Sequence, residues 1–502
     1  MNSINLFGQG KNHNWLIGYT SGIDTNVISK RGWLQFDSNN IIVTPDNFKM
    51  PFLSAQGNIS DENGNLLMVS NGCWIADATL DTMQNGGGLN PNSFTSNWCG
   101  TITGIPYWHS NMILPWSGDT TKFVLFHETG DYNVNNSKSS ALYYTVIDMT
   151  LAGGLGGVPI GQKNLIAIND TLIPGMAACK HANGRDWWII AFEDSTSNIY
   201  KILLTPSGIT SITKQTLNVP LHYYDIGQAN FSPDGKKFAY HYRDFYNGGL
   251  PVTHQIRLYD FDRCNGNFSN GQVISYVDST YSGNGLAFSS SSKYLYFTTF
   301  LKVFQMNTDT SNVQASLQLV AENDTFVSPF YPLITNFWMT YLAANGKMYI
   351  CSGNSVIDLH YINYPDSGGI SCDVQQHALH LPCFSGRGNV YHPNYYLGCD
   401  TTLGCPCLIT GINNLSPPDF KFRIYPNPVT RNSLNIGYLL PQNQSGLFRI
   451  YDVTGKVVFK YPLPQWSNEQ SFKLPQLADG VYNAVIISGN QRVSKTIAVI
   501  KQ

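Results

Sequence analysis

Charge is scarce in this chain. Lysine and arginine number 30 and aspartate and glutamate 32, so charged side chains make up only 12% of the 502 residues, about half the usual ~25%. With a formal net charge of −2 there is no basic excess to track a polyanion, which excludes nucleic-acid binding of the ordinary electrostatic kind. Long apolar runs are missing too. No stretch approaches ~18 uninterrupted apolar residues, so no transmembrane segment is expected. Amphipathic helical periods are missing as well, because proline and glycine interrupt nearly every candidate, and this sets aside a βαβ repeat. The chain has no G-x-S-x-G, P-loop, H-E-x-x-H or Rossmann fingerprint, and no paired carboxylates stand out for glycoside hydrolysis. C-x2-C pairs and histidines at zinc-ligand spacing are absent, leaving only Cys405-Pro-Cys407; neither a metal nor a cofactor is expected. The N-terminus lacks a basic stretch followed by an apolar one, so no signal peptide is read there.

What the chain has is aromatic, glycine and small polar residues. Aromatics reach 13%, with 29 tyrosines, and glycine contributes 45 residues. Such a chain can bury apolar surface with little charge repulsion, which argues against disorder and for an extracellular all-β protein. A short pattern recurs: an apolar run, a tight polar turn, then alternating apolar residues. Its clearest copy is Asn230-Phe-Ser-Pro-Asp-Gly-Lys-Lys-Phe-Ala-Tyr240. Pro233 presets φ for the turn and Gly235 accepts a positive φ at its exit. Other copies centre near residues 64, 119, 184, 292 and 346. Spacings of about 50 to 65 residues exceed those of WD40 blades and sit near those of kelch blades. The fold class is therefore read as all-β: a β-propeller of six or seven four-stranded blades over residues 1–407. The strands around Trp15–Tyr19 and Gly32–Phe36 have no turn anchor. They are expected to pair with C-terminal strands and close the ring, with seven blades preferred.

After a Pro-rich linker at 408–420 comes a different pattern over 421–502. Short strands with turns at Asp452-Val-Thr-Gly455 and Ser488-Gly-Asn490 indicate a small Ig-like β-sandwich. This module resembles the type A C-terminal sorting domain of the Bacteroidetes type IX (Por) secretion system. The matching positions are Tyr425-Pro426-Asn427-Pro428, Asp452, Gly455 and Lys456, Gly480 and Tyr482, and the terminal Lys501. The earlier run of Asn14-Trp-Leu-Ile-Gly18, Lys180-His181 and Phe231-Ser-Pro-Asp-Gly235 is similar to large secreted β-propeller proteins of the same phylum. The resemblances imply type IX secretion machinery at the outer membrane as a partner, and a location that is secreted or attached to the outer cell surface. They name a scaffold and a compartment, not a reaction. A secreted chain with no visible signal peptide implies a mature form or an upstream start.

In a propeller, residues just upstream of each turn approach the central channel. They are Gln56, His109, Met176, Gln228, Asn284 and Trp338, a set of amides, imidazole, thioether and indole able to bind a polar ligand. Each can equally satisfy channel-wall backbone or a buried water. His181 beside its turn is either a site residue or, with Asp186, a turn clamp. His127 and Glu128 adjoin on one strand and so point to opposite faces, which disfavours their acting as a pair. The clusters at 222–225 and 241–244 suit sugar stacking and are also ordinary for a Tyr-rich surface. Three readings follow: a binding or adhesion module for extracellular glycan or protein, which the missing catalytic constellation favours; a hydrolase or lyase acting on polymeric carbohydrate; or a structural surface component. The ten cysteines allow disulfides. The expected pairs are Cys372 with Cys383, Cys399 with Cys405 or Cys407, and, more weakly, Cys73 with Cys99. Cys179 and Cys351 read as plain buried thiols.

Overall fold

Every tight polar turn read from the sequence joins two antiparallel strands. At the clearest one, Ser232 N–H donates to Lys237 O and Gly235 N–H to Ser232 O. Gly235 has φ +70, and a Cβ there would meet Arg263, Leu397 and Cys179 closer than 3.0 Å, so only glycine fits. The same closure recurs at 61–65, 116–122, 181–186, 289–294 and 343–347. In this computed structural model, residues 10–20, 28–36, 41–101, 103–134, 138–217, 226–244, 250–279, 283–329, 332–408, 422–430, 432–438, 440, 444–464, 467, 469–489 and 491–500 are described.

Seven antiparallel sheets follow one another along the chain. Sheet 1 has three strands, Asn14–Ile17, Arg31–Phe36 and Ile41–Asp46. Sheets 2 to 7 have four each. Their innermost strands are Gly57–Ser60, Asn111–Pro115, Leu172–Lys180, Ile226–Phe231, Leu286–Phe288 and Thr340–Leu342. These inner strands neighbour one another in order around a common axis, and the architecture is a β-propeller. The apolar faces of adjacent sheets form the core between them; Trp187, Ile189 and Ala191 of sheet 4, for example, pack with Leu114 and Phe126 of sheet 3. The single α-helix among the described residues is Ser93–Cys99, capped by Asn92 accepting from Thr95 N–H.

Sheets 7 and 1 close the ring by packing rather than by the strand pairing expected. Trp15 sets its ring edge-on to Tyr341 and Tyr349, with centroids 6.1 and 5.7 Å apart. No ladder joins sheet 1 to C-terminal strands among the described residues. The C-terminal stretch instead leaves its last propeller strand, Val374–His380, and enters the channel. Arg387 N–H bonds Leu53 O, His392 reaches Asn58, Asn394 bonds Pro233 O, and Tyr395 OH bonds Ile113 O. Residues 387 to 396 therefore run along the axis parallel to the inner strand of sheet 2. Strand Asn14–Ile17 runs the other way, since Asn58 bonds Asn14 O while Gln56 bonds Leu16 O. The axial segment thus takes the innermost place beside the three-stranded sheet, with too few backbone bonds to read as a strand.

Strands from Phe422–Tyr425 onward make a second body of two sheets, three- and four-stranded. They face each other across Phe448, Ile450, Phe472 and Ile486; Phe448 and Phe472 stack at 5.3 Å.

Three disulfides are present: Cys73–Cys99, Cys399–Cys407 and Cys264–Cys405. The first two were among the expected pairs, and the third was not foreseen because its partners lie 141 residues apart. The expected Cys372–Cys383 bridge is absent, and both thiols are free and buried. The reason is geometric: the whole strand Val374–His380 separates them, about 20 Å of extended chain, against the roughly 4.4–6.8 Å a bridge spans. Titration of the denatured, unreduced protein should show thiols only at Cys179, Cys351, Cys372 and Cys383. Replacing Cys405 by Ser frees the tail of the axial segment and should cost roughly 2–5 kcal/mol in denaturant unfolding; an unchanged midpoint would remove this bridge's structural role.

Candidate functional site

The two ends of the channel differ. The tight turns define its lower end, and the residues expected to line a ligand-binding mouth stand at its upper end. Gln56, His109, Met176, Gln228 and Asn284 are all buried there, and Trp338 is half-buried. Gln228 acts as the hub. Its carbonyl accepts from Leu286 N–H at 2.8 Å and Thr340 N–H at 2.7 Å. Its amide donates to Thr340 O at 2.9 Å and lies 3.2 Å from His109 Nε2. One side chain thereby ties sheets 5, 6 and 7 to the residue before sheet 3. Burial drives the His109 pKa down to about 3, so its neutral ring accepts at Nε2 and carries its proton on Nδ1. His109 O accepts from Met176 N–H, and Asn284 O from Gln228 N–H. Tyr391 of the axial segment stacks on the His109 ring at 4.6 Å. The upper set is thus brought together, except that Trp338 joins through Trp108, edge-on at 6.3 Å, and Gln56 through Leu16 O.

His181 stands apart, at the lower end. Its N–H and that of Gly184 close the turn, its Nδ1 accepts from Asn183 N–H at 3.0 Å, and it stacks on Trp188. Asp186 accepts from Asn183 and Arg185. His127 bonds Asn90 and Thr145, whereas Glu128 points away and accepts Gly175 N–H at 2.8 Å. The two do not form a pair. His241 is buried against His254 at 2.9 Å; residues 222–225 and Lys501 lie outside the described residues.

The open space is below. A cavity of about 140 Å³ lies between the axial segment and the lower ends of the inner strands of sheets 4 to 7. Tyr391, Tyr395 and Tyr396 lie along one side; the Tyr391 ring is stacked on His109 and the Tyr395 ring is edge-on to Trp187. Asn230, Asn394, Ser232 and Ser290 supply amide and hydroxyl groups, and Lys180 supplies an ammonium. Ser467, from the C-terminal body, completes the rim. Burial lowers the Lys180 pKa to about 8, helped by Lys11 and Arg263 and opposed by Asp186. The sequence reading missed this site because it is made by the axial segment. The signal available was the run Tyr391-His-Pro-Asn-Tyr-Tyr396, aromatic yet neither alternating nor anchored by a turn.

The C-terminal body holds its motif residues in structural roles. Asn427 brackets the last strand, donating to Thr496 O and accepting from Ala498 N–H. Asp452 accepts from Thr454 and Lys456 N–H across a turn in which Gly455 has φ +84. Tyr482 OH bonds Ala478 O. Residues 423–501 match the family model of the secretion system C-terminal sorting domain. No curated protein matches the chain. Solved structures resemble it at low identity. A protein from Bacteroides uniformis, provisionally named a 6-phosphogluconolactonase, is 12% identical, with a TM-score of 0.41 over 75% of this chain and 98% of that one. The extracellular domain of a provisionally assigned hybrid two-component system from Bacteroides thetaiotaomicron is 10% identical, with a TM-score of 0.34 over 97% of this chain and 57% of its own. The Dos1 propeller is 8% identical, with a TM-score of 0.33 over 70% and 85%. These likenesses say nothing about what this chain binds.

Two outcomes are expected. Glu128 is fully buried, and burial raises its carboxyl from 4.5 to about 8. Between those pH values the folded protein holds a proton that the unfolded chain has released. Stability therefore falls as pH rises through that window and is unaffected below it. Glu128→Gln should flatten the fall in melting temperature between roughly pH 5 and 8; a slope equal to wild type would refute the assignment. Secondly, grafting residues 408–502 onto an inert exported reporter should carry it to the surface of a type IX-competent host. Deleting them should leave the propeller folded in the periplasm, and surface delivery of the truncated chain would contradict the sorting role.

Proposed function

We propose that this propeller protein, which carries a type IX sorting domain at its C-terminus and is exported and then released or held at the outer cell surface, works there as a binding module for extracellular glycan. In this reading residues 1–407 bind, 408–420 tether, and 421–502 are read by the secretion machinery. The observation behind it is the lower cavity, where Tyr396 lines the wall together with asparagine and serine residues. Ring faces stack on the C–H surfaces of a sugar, while amides and hydroxyls match its alternating donors and acceptors. The cavity is smaller than the ~300–1,000 Å³ of pockets for drug-sized ligands, so it suits one residue at the end of a chain. Among the described lining residues no hydroxyl or thiol is seen bonded to the imidazole of His392, whose Nε2 is engaged with Asn58. Cys179 is the thiol in the lining, and burial pushes it up to about 12, which leaves it unreactive.

The upper ring belongs to the scaffold in this reading, and the ligand enters from below. A glycan array probed with the full chain should give hits. Tyr396→Ala, at a half-buried position on the cavity wall, should weaken the best of them by roughly tenfold, the loss of about 1.4 kcal/mol of ring contact, without lowering the melting temperature by more than a few degrees. Turnover of a bound glycan would replace the binding reading with a hydrolase or lyase, and an array with no hits would end it.

A further inference from the structure

Of the side chains around the lower cavity, none is a carboxylate, and Lys180 is the only lysine or arginine among the described lining residues. That imbalance is unusual in a chain with as many acids as bases. The acids nearest the rim are already engaged. Glu62 pairs with Lys11, Asp186 with Arg185, Asp234 caps Ser232 and Lys236 N–H, and Asp366 accepts from Ser290 and Ser291. Arg263, the other buried cation nearby, gives its guanidinium to the carbonyls of Lys180, His181 and Gly398. Lys180 differs from both neighbours. Its Nζ has one long contact, 3.4 Å to Gly184 O, and lies 4.8 Å from the face of Trp187. It is a half-buried residue whose ammonium has no carboxylate in salt-bridge contact among the described residues. Burial makes such a charge costly, and an anion arriving in the cavity would offset that cost.

We infer that the cavity selects a glycan whose terminal residue carries an anion, a carboxylate or a sulfate, held by Lys180 while the ring packs against Tyr396. This rests on the glycan-binding reading above and narrows it. Tyr396 OH accepts Lys11 N–H at 2.8 Å and Lys11 Nζ stands 5.5 Å from the Tyr396 ring, contacts that hold the Tyr396 side of the mouth in place. Asn12 and Asn394 flank it with amides, which orient hydroxyls without adding charge of either sign.

The test compares matched saccharides on the full-length protein by calorimetric titration at low ionic strength: a galacturonate trimer, a galactose trimer, and a galactose trimer sulfated on its terminal residue. At least one acidic trimer should bind ten-fold or more tightly than the neutral one, and raising salt should erode the difference. Carboxylate and sulfate arms separate the two sources of negative charge. Lys180→Met, checked for an unchanged melting transition, should abolish the preference for the acidic trimers, and Lys180→Arg should restore part of it. Equal binding of acidic and neutral trimers, or a preference that survives Lys180→Met, overturns the inference while sparing the glycan reading. Failure of all three trimers to bind overturns the inference; if the glycan array is also empty, the glycan reading falls with it.

Discussion

The propeller depends on its own chain running through its axis. Without it the channel wall around Gln56, Gln228 and Asn284 would face a void, and buried groups beside a void forfeit packing contacts. The segment 387–396 fills that gap from one end to the other. It bonds to sheet 2 through Leu53 and Asn58, to sheet 3 through Ile113 and to sheet 5 through Pro233. Tyr391 covers the His109 ring that Gln228 holds. Beyond the axis, the chain is fastened below sheets 4 and 5 by Asp400 N–H to Ala182 O, by Arg263 to Gly398 O and by Cys264–Cys405. Ring closure is therefore shared among sheets that are far apart in sequence, which compensates for the missing fourth strand of sheet 1.

The scarcity of charge follows from this arrangement. Inner strands in a filled channel have no access to bulk water, so ionised groups there would be unsolvated. The chain places amides, hydroxyls and neutral imidazoles in those positions. His109, His127 and His392 are each held to about 3 by burial; they stay neutral and act as plain donors and acceptors across physiological pH. Lys180 is the departure from the rule, and it stands where the axial segment leaves room.

Most of the fold could be read from local chemistry. The six turn anchors, from Gly64 to Gly346, each marked an inner hairpin, because a turn fixes which strand precedes it and which follows. The sorting module was legible for the same reason: Asp452 and Gly455 make their turn with residues two to four positions away. What was not legible was set by distance along the chain. Cys264 meets Cys405, and Tyr391 meets His109, through the arrangement of whole sheets, and no local pattern encodes either meeting. The pairing assumed for Cys372 and Cys383 failed on the same ground, since nearness in sequence says little when a strand lies between.

The position of the sorting domain bears on the cavity. Tyr364 OH bonds Ser433 at 2.7 Å, and Gln470 reaches Ser290 at 3.4 Å; Ser290 and Ser467 both line the rim. These are thin polar contacts between hydroxyls and an amide, each contributing about 0.5–1.5 kcal/mol at most. Tyr461 of the C-terminal body is also buried beside Ser291 of the propeller, while the anchors of the axial segment all lie within sheets 2, 3 and 5 and the turns below sheets 4 and 5. The cavity walls are consequently fixed by the propeller alone, and the sorting domain contributes only to how wide its mouth stands.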